Sequence, residues 1–213
     1  MSKSIQQLQA EEQFLISVRE HIRYVQIAST ELNKVLDNPE KISYNEMLTH
    51  DASKFSDAEF PHYARNFFGA KDDKIGFDSA WMNHVEKNAH HWNHWLEDFY
   101  VVRTEQHCTP IPMPLEQISI MIADWLAAGR QYQNCWDFTY AGKDSSKPDW
   151  LNDNLGGYKP KINIHKDTHK QIDSILDRIG YNTICDNSPQ YCLMNPHFIN
   201  KLNISELSFK LKT

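Results

Sequence analysis

The chain has 213 residues, of which 40% are apolar and 12% aromatic, and its formal net charge at pH 7 is −6. This length and composition suffice for one well-packed domain. The acidic balance excludes a general nucleic-acid coat, because such proteins bind through clustered Lys and Arg that neutralise phosphates. A small phosphorylated ligand bound at a local site is compatible with this charge.

The N-terminus and the cysteines indicate the compartment. The opening stretch MSKSIQQLQAEEQF is polar and lacks the apolar core of ~7–15 residues that a signal peptide needs. No run approaches the ~18 apolar residues of a membrane span. The four cysteines form no CxxC motif, so neither a zinc knuckle nor a disulfide framework is indicated: Cys108, Cys135, Cys185 and Cys192. We therefore expect a cytoplasmic protein that does not bind membranes.

Hydrophobic periodicity predicts a long first helix, from Gln6 to about Leu36. Its apolar residues recur at steps of three and four, and His21 lies on the same face: Phe14, Val18, Val25, Ala28 and Leu32. Two S-x-x-E capping boxes, starting at Ser43 and at Ser56, predict the beginnings of two short helices. The first of these helices is expected to carry His50, Asp51 and Lys54 on one side.

The following helical segment is predicted from about Phe77 to Lys87 and carries Trp81 and His84. An interruption is expected at residues 88–89, after which a helical pattern resumes at His91 and continues towards Tyr100.

A Pro-rich break at residues 109–114 precedes a helix predicted from Leu115 to Gln133, which contains Asp124 among apolar residues. The stretch from Gly142 is rich in turn residues, and the last clear helix is predicted from Asp167 to Ile179. We expect an all-α domain over residues 1–180. Residues 181–213 are expected to form a mixed, partly irregular C-terminal appendage packed on that domain.

Candidate metal ligands stand out because polar residues recur on these apolar faces. They are His21, His50, Asp51, His84, either His90 or His91, and Asp124. A lone buried histidine is usually a hydrogen-bonded core residue, and Asp124 alone could pair with Arg130. Six such residues on four or five helices instead indicate one or two divalent ions. Imidazole and carboxylate ligands without thiolates suit Mn, Fe, Co, Ni or Zn.

The ordered set His, His-Asp, His, His, Asp resembles the HD superfamily of metal-dependent phosphohydrolases. The stretches HIRYVQIA, HDASK and ADWLAA are similar to that superfamily's first-helix, His-Asp and closing-helix patterns, with Ser53 where several branches have Gly. The combination is similar in particular to an uncharacterised HD-like family of small bacterial and phage proteins. The resemblance covers roughly residues 10 to 180. It implies an HD-domain-like helical bundle in which these residues converge on one or two metals.

Two departures narrow what the resemblance implies. Ser17 stands where the branch that hydrolyses cyclic dinucleotides has a Glu for a third metal, and the G-Y-P signature of that branch is absent. We therefore expect two metals at most and no inherited specificity for cyclic dinucleotides.

The resemblance leads to a hypothesis for the roles of these residues. His21, His50, Asp51 and Asp124 hold a first metal, and Asp51 bridges to a second metal held by His84 and His91. His90 is either a ligand in place of His91 or a nearby acid. Lys54 either contacts a substrate phosphate or is a surface lysine paired with Asp57.

The expected function is hydrolysis of a nucleotide or another small phosphoester by a metal-activated water, with Asp51, Lys54 and His90 as the catalytic residues. The alternative is an HD-type diiron oxygenase that oxidises a small substrate, because it uses the same ligand types. A non-catalytic binding protein is a third interpretation. Trp81, Trp92 and Trp95 either stack a base or belong to the core. The sequence indicates no oligomeric state.

Overall fold

The computed structural model describes residues 3–97, 108–134, 136, 164–179 and 196–210. Within these ranges the chain is helical, which confirms the all-α prediction. The α-helices are α1 (Ile5–Leu32), α2 (Tyr44–Thr49), α3 (Phe60–Phe68), α4 (Lys74–Lys87), α5 (Leu115–Gln133), α6 (Lys166–Arg178) and α7 (Pro196–Lys210). Two 3-10 helices cover Ala52–Phe55 and Trp92–Trp95, and the antiparallel strands β1 (Leu96–Glu97) and β2 (Thr109–Pro110) form one short ladder.

Helices α1 and α5 pack along each other at the centre of the fold. A complete capping box starts α1: the Ser4 side chain accepts from the Gln7 amide, and the Gln7 side chain accepts from the Ser4 amide. Val25 on α1 and Ile122 on α5 are fully buried in the main core. Each such side chain contributes ~1.5–3 kcal/mol by burial. This packing fixes the two faces that carry His21 and Asp124.

A second core cluster joins the first half of α1 to helices α3 and α4. It contains Phe14, Val18, Tyr63, Ala64 and Ala80. The Tyr63 ring stacks on Phe14 at 5.7 Å between ring centroids. This cluster brings α4, and with it His84, close to α1.

The C-terminal helices complete the main core. Helix α6 packs on α5 and α7 packs on α1, with Phe198 and Leu202 of α7 buried in the main cluster. Leu207 of the same helix is 60% exposed. The turn-rich stretch from Gly142, Tyr191 and Leu193, and three of the four cysteines lie outside the described residues.

Three local predictions were wrong. Helix α2 ends at Thr49, before the His-Asp pair, because Asp51 has a left-handed backbone (φ 57°) that an α-helix does not continue through. The pattern after His91 gives a 3-10 helix and then β1, with residues 98–100 outside the described part. The second capping box does not form, because α3 begins only at Phe60 and the Glu59 side chain is hydrogen-bonded to His84. None of the described helices has the length and apolarity to cross a membrane.

Candidate metal centre

All the predicted ligands converge around Asp51. They come from α1 (His21), the end of α2 (His50), the turn that follows (Asp51), α4 (His84), the loop after α4 (His90 and His91) and α5 (Asp124). Their potential ligand atoms form two groups, and within each group the atoms lie within 4.8 Å of one another. One group is His21, His50 and Asp124, and the other is Asp51, His84, His90 and His91. Either group has the composition to hold a metal ion.

The Asp51 carboxylate lies between the two groups. Its Oδ1 is 3.2 Å from His84 Nε2 and 3.6 Å from His90 Nε2. Its Oδ2 is 3.7 Å from His21 Nε2 and 3.6 Å from His50 Nε2. Because each oxygen faces a different group, this carboxylate has the geometry of a bridging ligand.

The backbone at the His-Asp pair explains how two consecutive residues reach one centre. Consecutive side chains on an α-helix point ~100° apart. Here α2 has ended, His50 is extended (φ −50°, ψ 127°) and Asp51 is left-handed (φ 57°, ψ 17°). A left-handed backbone at a residue other than Gly is uncommon, although Asp tolerates it better than most. Such conformations cluster at functional sites.

A buried carboxylate orients His84. Glu59 is fully buried, and its Oε2 accepts from His84 Nδ1 at 2.9 Å while its Oε1 accepts from Asn83 at 2.7 Å. Asn88, which caps α4, donates to the His84 carbonyl at 2.7 Å and to Ser53 Oγ at 2.7 Å. With Nδ1 held by Glu59, the other ring nitrogen of His84, Nε2, faces Asp51 Oδ1. Carboxylate–histidine pairs of this kind support metal ligands in proteins.

Contacts behind the loop position His90 and His91. Trp95 Nε1 donates to the Ala89 carbonyl at 2.7 Å, and His94 Nδ1 lies 3.0 Å from the Val85 carbonyl oxygen. The His90 ring stacks on His50 with 4.3 Å between centroids. Both neighbouring histidines belong to the same ligand group, so the choice between them that the sequence left open is not required by the geometry.

His21 and Asp124 connect the two central helices. His21 Nε2 lies 2.8 Å from Asp124 Oδ1, and His50 Nε2 lies 3.6 Å from the same oxygen. Arg130, the other partner considered for Asp124, pairs with Glu206 instead. Asp124 is therefore turned towards the metal centre.

The protonation states suit metal binding. Burial opposes the charged form of Asp51, yet the charges of Lys54, His50 and His84 hold its pKa well below the usual value. Burial acts likewise on Asp124, but the hydrogen bond with His21 and the nearby imidazole of His50 outweigh it and lower its pKa. Both carboxyl groups are therefore ionised at pH 7.

The histidines of the loop after α4 are neutral. Burial lowers the pKa of His90 well below its usual value, and the nearby charge of His50 lowers it further. Burial and the charge of His84 lower the pKa of His91 to about 3. Neutral imidazole is the form that binds metals.

Atoms without hydrogen-bond partners test whether this donor set fits a metal. Among the described residues, the buried atoms without a partner include five at the centre: Asp51 Oδ1 and the Nε2 atoms of His50, His84, His90 and His91. Each such atom costs ~1–3 kcal/mol when nothing satisfies it. These five point into one centre and are typical metal ligands. The residues present therefore fit one or two divalent transition-metal ions.

Lys54 lies at the edge of the centre. Its Nζ is 2.5 Å from Asp51 Oδ2, and its side chain is 20% exposed. Burial opposes its charge, but the Asp51 carboxylate outweighs this and raises the pKa of Lys54. Lys54 thus pairs with Asp51 rather than with Asp57, the partner expected of a surface lysine.

A cleft of about 480 Å³ opens beside the centre. His21, His84, His91, Asp124 and Lys54 form part of its wall, and much of the rest is aromatic. Of the three tryptophans considered for base stacking, Trp81 lines this cleft. Trp92 and Trp95 pack against the main core.

Glu59 is the residue of this centre that the sequence analysis missed. Its spacing from Ser56 matches a capping box, which assigned its side chain to a helix start. The signal that could have identified it is its place between the His-Asp pair and His84, where a further carboxylate can support a ligand.

Comparison with known proteins identifies a family without assigning an activity. Comparison with curated proteins gave no match, and comparison with solved structures gave none either. The family described as "Family of unknown function (DUF5662)" matches residues 10–178, which include every residue of the candidate metal centre. Because this match spans well over half of the sequence, the chain belongs to the DUF5662 family.

Proposed function

We propose that this protein is a metal-dependent phosphohydrolase of the HD type that acts on a nucleotide or another small phosphoester. The observation that supports it best is the position of Asp51, whose two carboxylate oxygens face two separate ligand groups. Shared carboxylates are typical of two-metal hydrolytic sites. The order of the ligands along the chain is similar to that of the HD superfamily, and the reducing cytoplasm is the compartment we propose.

The two ligand groups define which residues would hold the ions. His21, His50 and Asp124 with Asp51 Oδ2 would hold one ion, and His84, His90 and His91 with Asp51 Oδ1 would hold the other. Mn, Fe, Co, Ni and Zn all suit imidazole and carboxylate ligands. When bound, such ions lower the pKa of a water to near neutrality and neutralise charge on a phosphoryl group.

The chain's own residues prepare this chemistry. Glu59 holds the His84 ring in one orientation, and the left-handed turn at Asp51 fixes the shared carboxylate. Lys54 lies on the cleft side of Asp51, where its ammonium can turn to a phosphoryl oxygen as a point charge.

A diiron oxygenase is the second candidate, and one observation favours it. Apart from the candidate ligands and Lys54, most of the residues that line the cleft are aromatic, which also suits oxidation of a small apolar substrate. We rank it second because Lys54 supplies a phosphate-suited cation beside the shared carboxylate.

One experiment distinguishes the two candidates. Protein purified without added metal is analysed for its elements, then loaded with Mn, Co or Ni and tested in an anaerobic chamber against nucleotides and phosphomonoesters. A hydrolase releases phosphate without oxygen, and it does so also when loaded with a redox-silent ion such as Zn. If no phosphoester is cleaved, while iron-loaded protein consumes oxygen with some substrate, the oxygenase replaces the hydrolase.

A further inference from the structure

The cleft beside the metal centre has features that define a substrate class. We propose that it binds a compound with a single phosphoryl group attached to an aromatic body, and that the Tyr63 hydroxyl donates a hydrogen bond to this compound. The inference rests on the proposed function, because it places the phosphoryl group at the metal centre next to Lys54.

The first observation is the aromatic wall of the cleft. Seven of the 16 lining residues are aromatic. Phe67 is 49% exposed and Tyr132 is 59% exposed, although both lie in a concave surface. The Trp81 ring packs edge-on against His91, with 5.4 Å between centroids, so it links the aromatic wall to the metal ligands. A planar ring bound here would bury these faces in the offset and edge-on arrangements that aromatic pairs prefer.

The second observation is the charge around the cleft. Among the described residues that line it, Lys54 is the single Lys or Arg. Two divalent ions, the three carboxylates of Asp51, Asp124 and Glu59, and the Lys54 ammonium leave a net charge of about +2. One phosphomonoester, with a charge of about −1.5 to −2 at pH 7, balances this. A second phosphoryl group would bring a similar charge to a wall whose described residues offer no cation other than Lys54.

The third observation is an unsatisfied hydroxyl. Tyr63 lines the cleft and is 4% exposed, and its hydroxyl has no hydrogen-bond partner within the described ranges. Its ring is fixed by stacking on Phe14 and Phe67. Burial, with the nearby charges of Glu59 and Asp51, raises its pKa, so the phenol stays protonated and able to donate. Buried hydroxyls nearly always have partners, and a bound substrate provides one here.

The test uses phosphonates, whose carbon–phosphorus bond resists hydrolysis, so binding is measured independently of turnover. Calorimetry on Mn-loaded protein compares benzylphosphonate, methylphosphonate and p-xylylene bisphosphonate. Benzylphosphonate is expected to bind at least about tenfold more tightly than methylphosphonate, and the bisphosphonate more weakly than benzylphosphonate. Equal affinities for the first two, or tighter binding of the bisphosphonate, would overturn the inference.

Two variants test the residues. Tyr63→Phe removes one hydroxyl and keeps the ring, so benzylphosphonate is expected to bind about two- to tenfold more weakly. The unfolding temperature without ligand should stay the same or rise, because an unsatisfied group is lost. Phe67→Leu should reduce the preference for benzylphosphonate over methylphosphonate. Tyr44→Leu, at a position 82% exposed and outside the cleft, should change neither. Unchanged affinity in Tyr63→Phe would exclude the hydroxyl contact.

A turnover assay separates this inference from the proposed function. If no phosphoester releases phosphate but the aromatic preference and the Tyr63 effect are observed, the hydrolase proposal fails and the binding inference stands. If phosphate is released equally well from phenyl phosphate and methyl phosphate, the hydrolase stands and the aromatic specificity is wrong.

Discussion

The helix junctions and the candidate metal centre of this fold bury charged side chains in opposite ways. Where α7 meets α5, Arg130 binds Glu206 through two hydrogen bonds of 2.7 and 2.8 Å. Where α6 meets the segment after α1, Arg178 binds Glu40 through two of 2.6 and 2.7 Å. At the metal centre, by contrast, Asp51 Oδ1 and four imidazole nitrogens have no partner in the described part of the chain.

The difference separates structural from functional polar groups. A paired, bidentate ion bridge satisfies its own hydrogen-bonding needs, so it can hold two segments together without a ligand. Unsatisfied buried groups oppose folding, and natural sequences tolerate such conflicts mainly at functional sites. Substitutions at the centre should therefore remove metal with little loss of stability, and substitutions at the helix junctions should do the reverse.

The largest effect is expected at Asp51. Asp51→Asn keeps the shape and tolerates the left-handed backbone, but it removes the charge shared by both ligand groups. We expect metal affinity to fall by more than the ~100-fold typical of a supporting residue, with both ions lost on dialysis. The free energy of unfolding of the metal-free protein should change by less than about 1 kcal/mol. Elemental analysis and denaturant unfolding measure the two effects, and full metal occupancy would refute the bridging role.

The opposite result is expected at the junction between α5 and α7. Glu206→Gln removes the charge that binds Arg130, and the side chains of this pair are only 5% and 15% exposed. We expect a loss of about 2–3 kcal/mol in the free energy of unfolding, with metal content unchanged. Glu86→Gln is the control, because the Glu86 side chain is 59% exposed. Loss of metal in Glu206→Gln would show that the two regions are coupled.

Glu59 tests whether the two ligand groups can be separated. Glu59→Gln can still accept from His84 Nδ1, but a neutral amide orients the ring and raises its basicity less than a carboxylate does. We expect the affinity of one ion to fall about 10- to 100-fold while the other ion is retained. Titration with Co(II), followed by its visible spectrum, counts the two ions separately. Equal weakening of both ions would contradict a role confined to His84.

Most helices could be predicted because the apolar periodicity and the helix-breaking residues indicate the same helix bounds along most of the chain. The predicted bounds of α5 match the structure, since a Pro-rich stretch precedes it and its apolar spacing is regular. Helix α4 begins at Lys74, three residues before the prediction, because Asp73 caps it by accepting from the Gly76 amide. The end of α2 was missed because neither the apolar periodicity nor the capping box marks the left-handed conformation of Asp51.

The convergence of the ligands could be predicted from their order along the chain, whereas their arrangement could not. His90 and His91 are equivalent by spacing, and both face the centre from a loop that contacts of Trp95 and His94 hold in place. Glu59 was hidden because one motif fits both a helix cap and a buried carboxylate. Which of these a glutamate becomes depends on a histidine 25 residues further along the chain.

Lys54 differs from the unpaired groups of the metal centre because its ammonium does have a partner, the Asp51 carboxylate. Lys54→Met keeps the length of the side chain and removes the ammonium, so metal content should be unchanged. We expect kcat/KM on a confirmed phosphoester to fall about tenfold, which corresponds to ~1.4 kcal/mol of lost transition-state stabilisation. Lys87→Met, at an exposed position on α4, is the control. Unchanged kinetics would return Lys54 to a structural role as the partner of Asp51.

The smallest effect is expected at Glu40, and it depends on pH. The hydrogen bonds from Arg178 lower the pKa of Glu40 below its usual value of 4.5, against the opposing effect of burial. A carboxyl group whose pKa is lower in the folded state stabilises the fold above its unfolded pKa, and this contribution is lost as pH falls through the folded value.

Glu40→Gln should therefore cost about 1 kcal/mol in the free energy of unfolding at pH 7. The difference from the unsubstituted protein should shrink as pH drops below 4.5. Urea unfolding of both proteins in their metal-free form, at pH 7 and at acidic pH, measures this, and the metal content of the two proteins at pH 7 should be the same. A difference that stays constant with pH would mean that the Glu40–Arg178 pair acts through shape rather than charge.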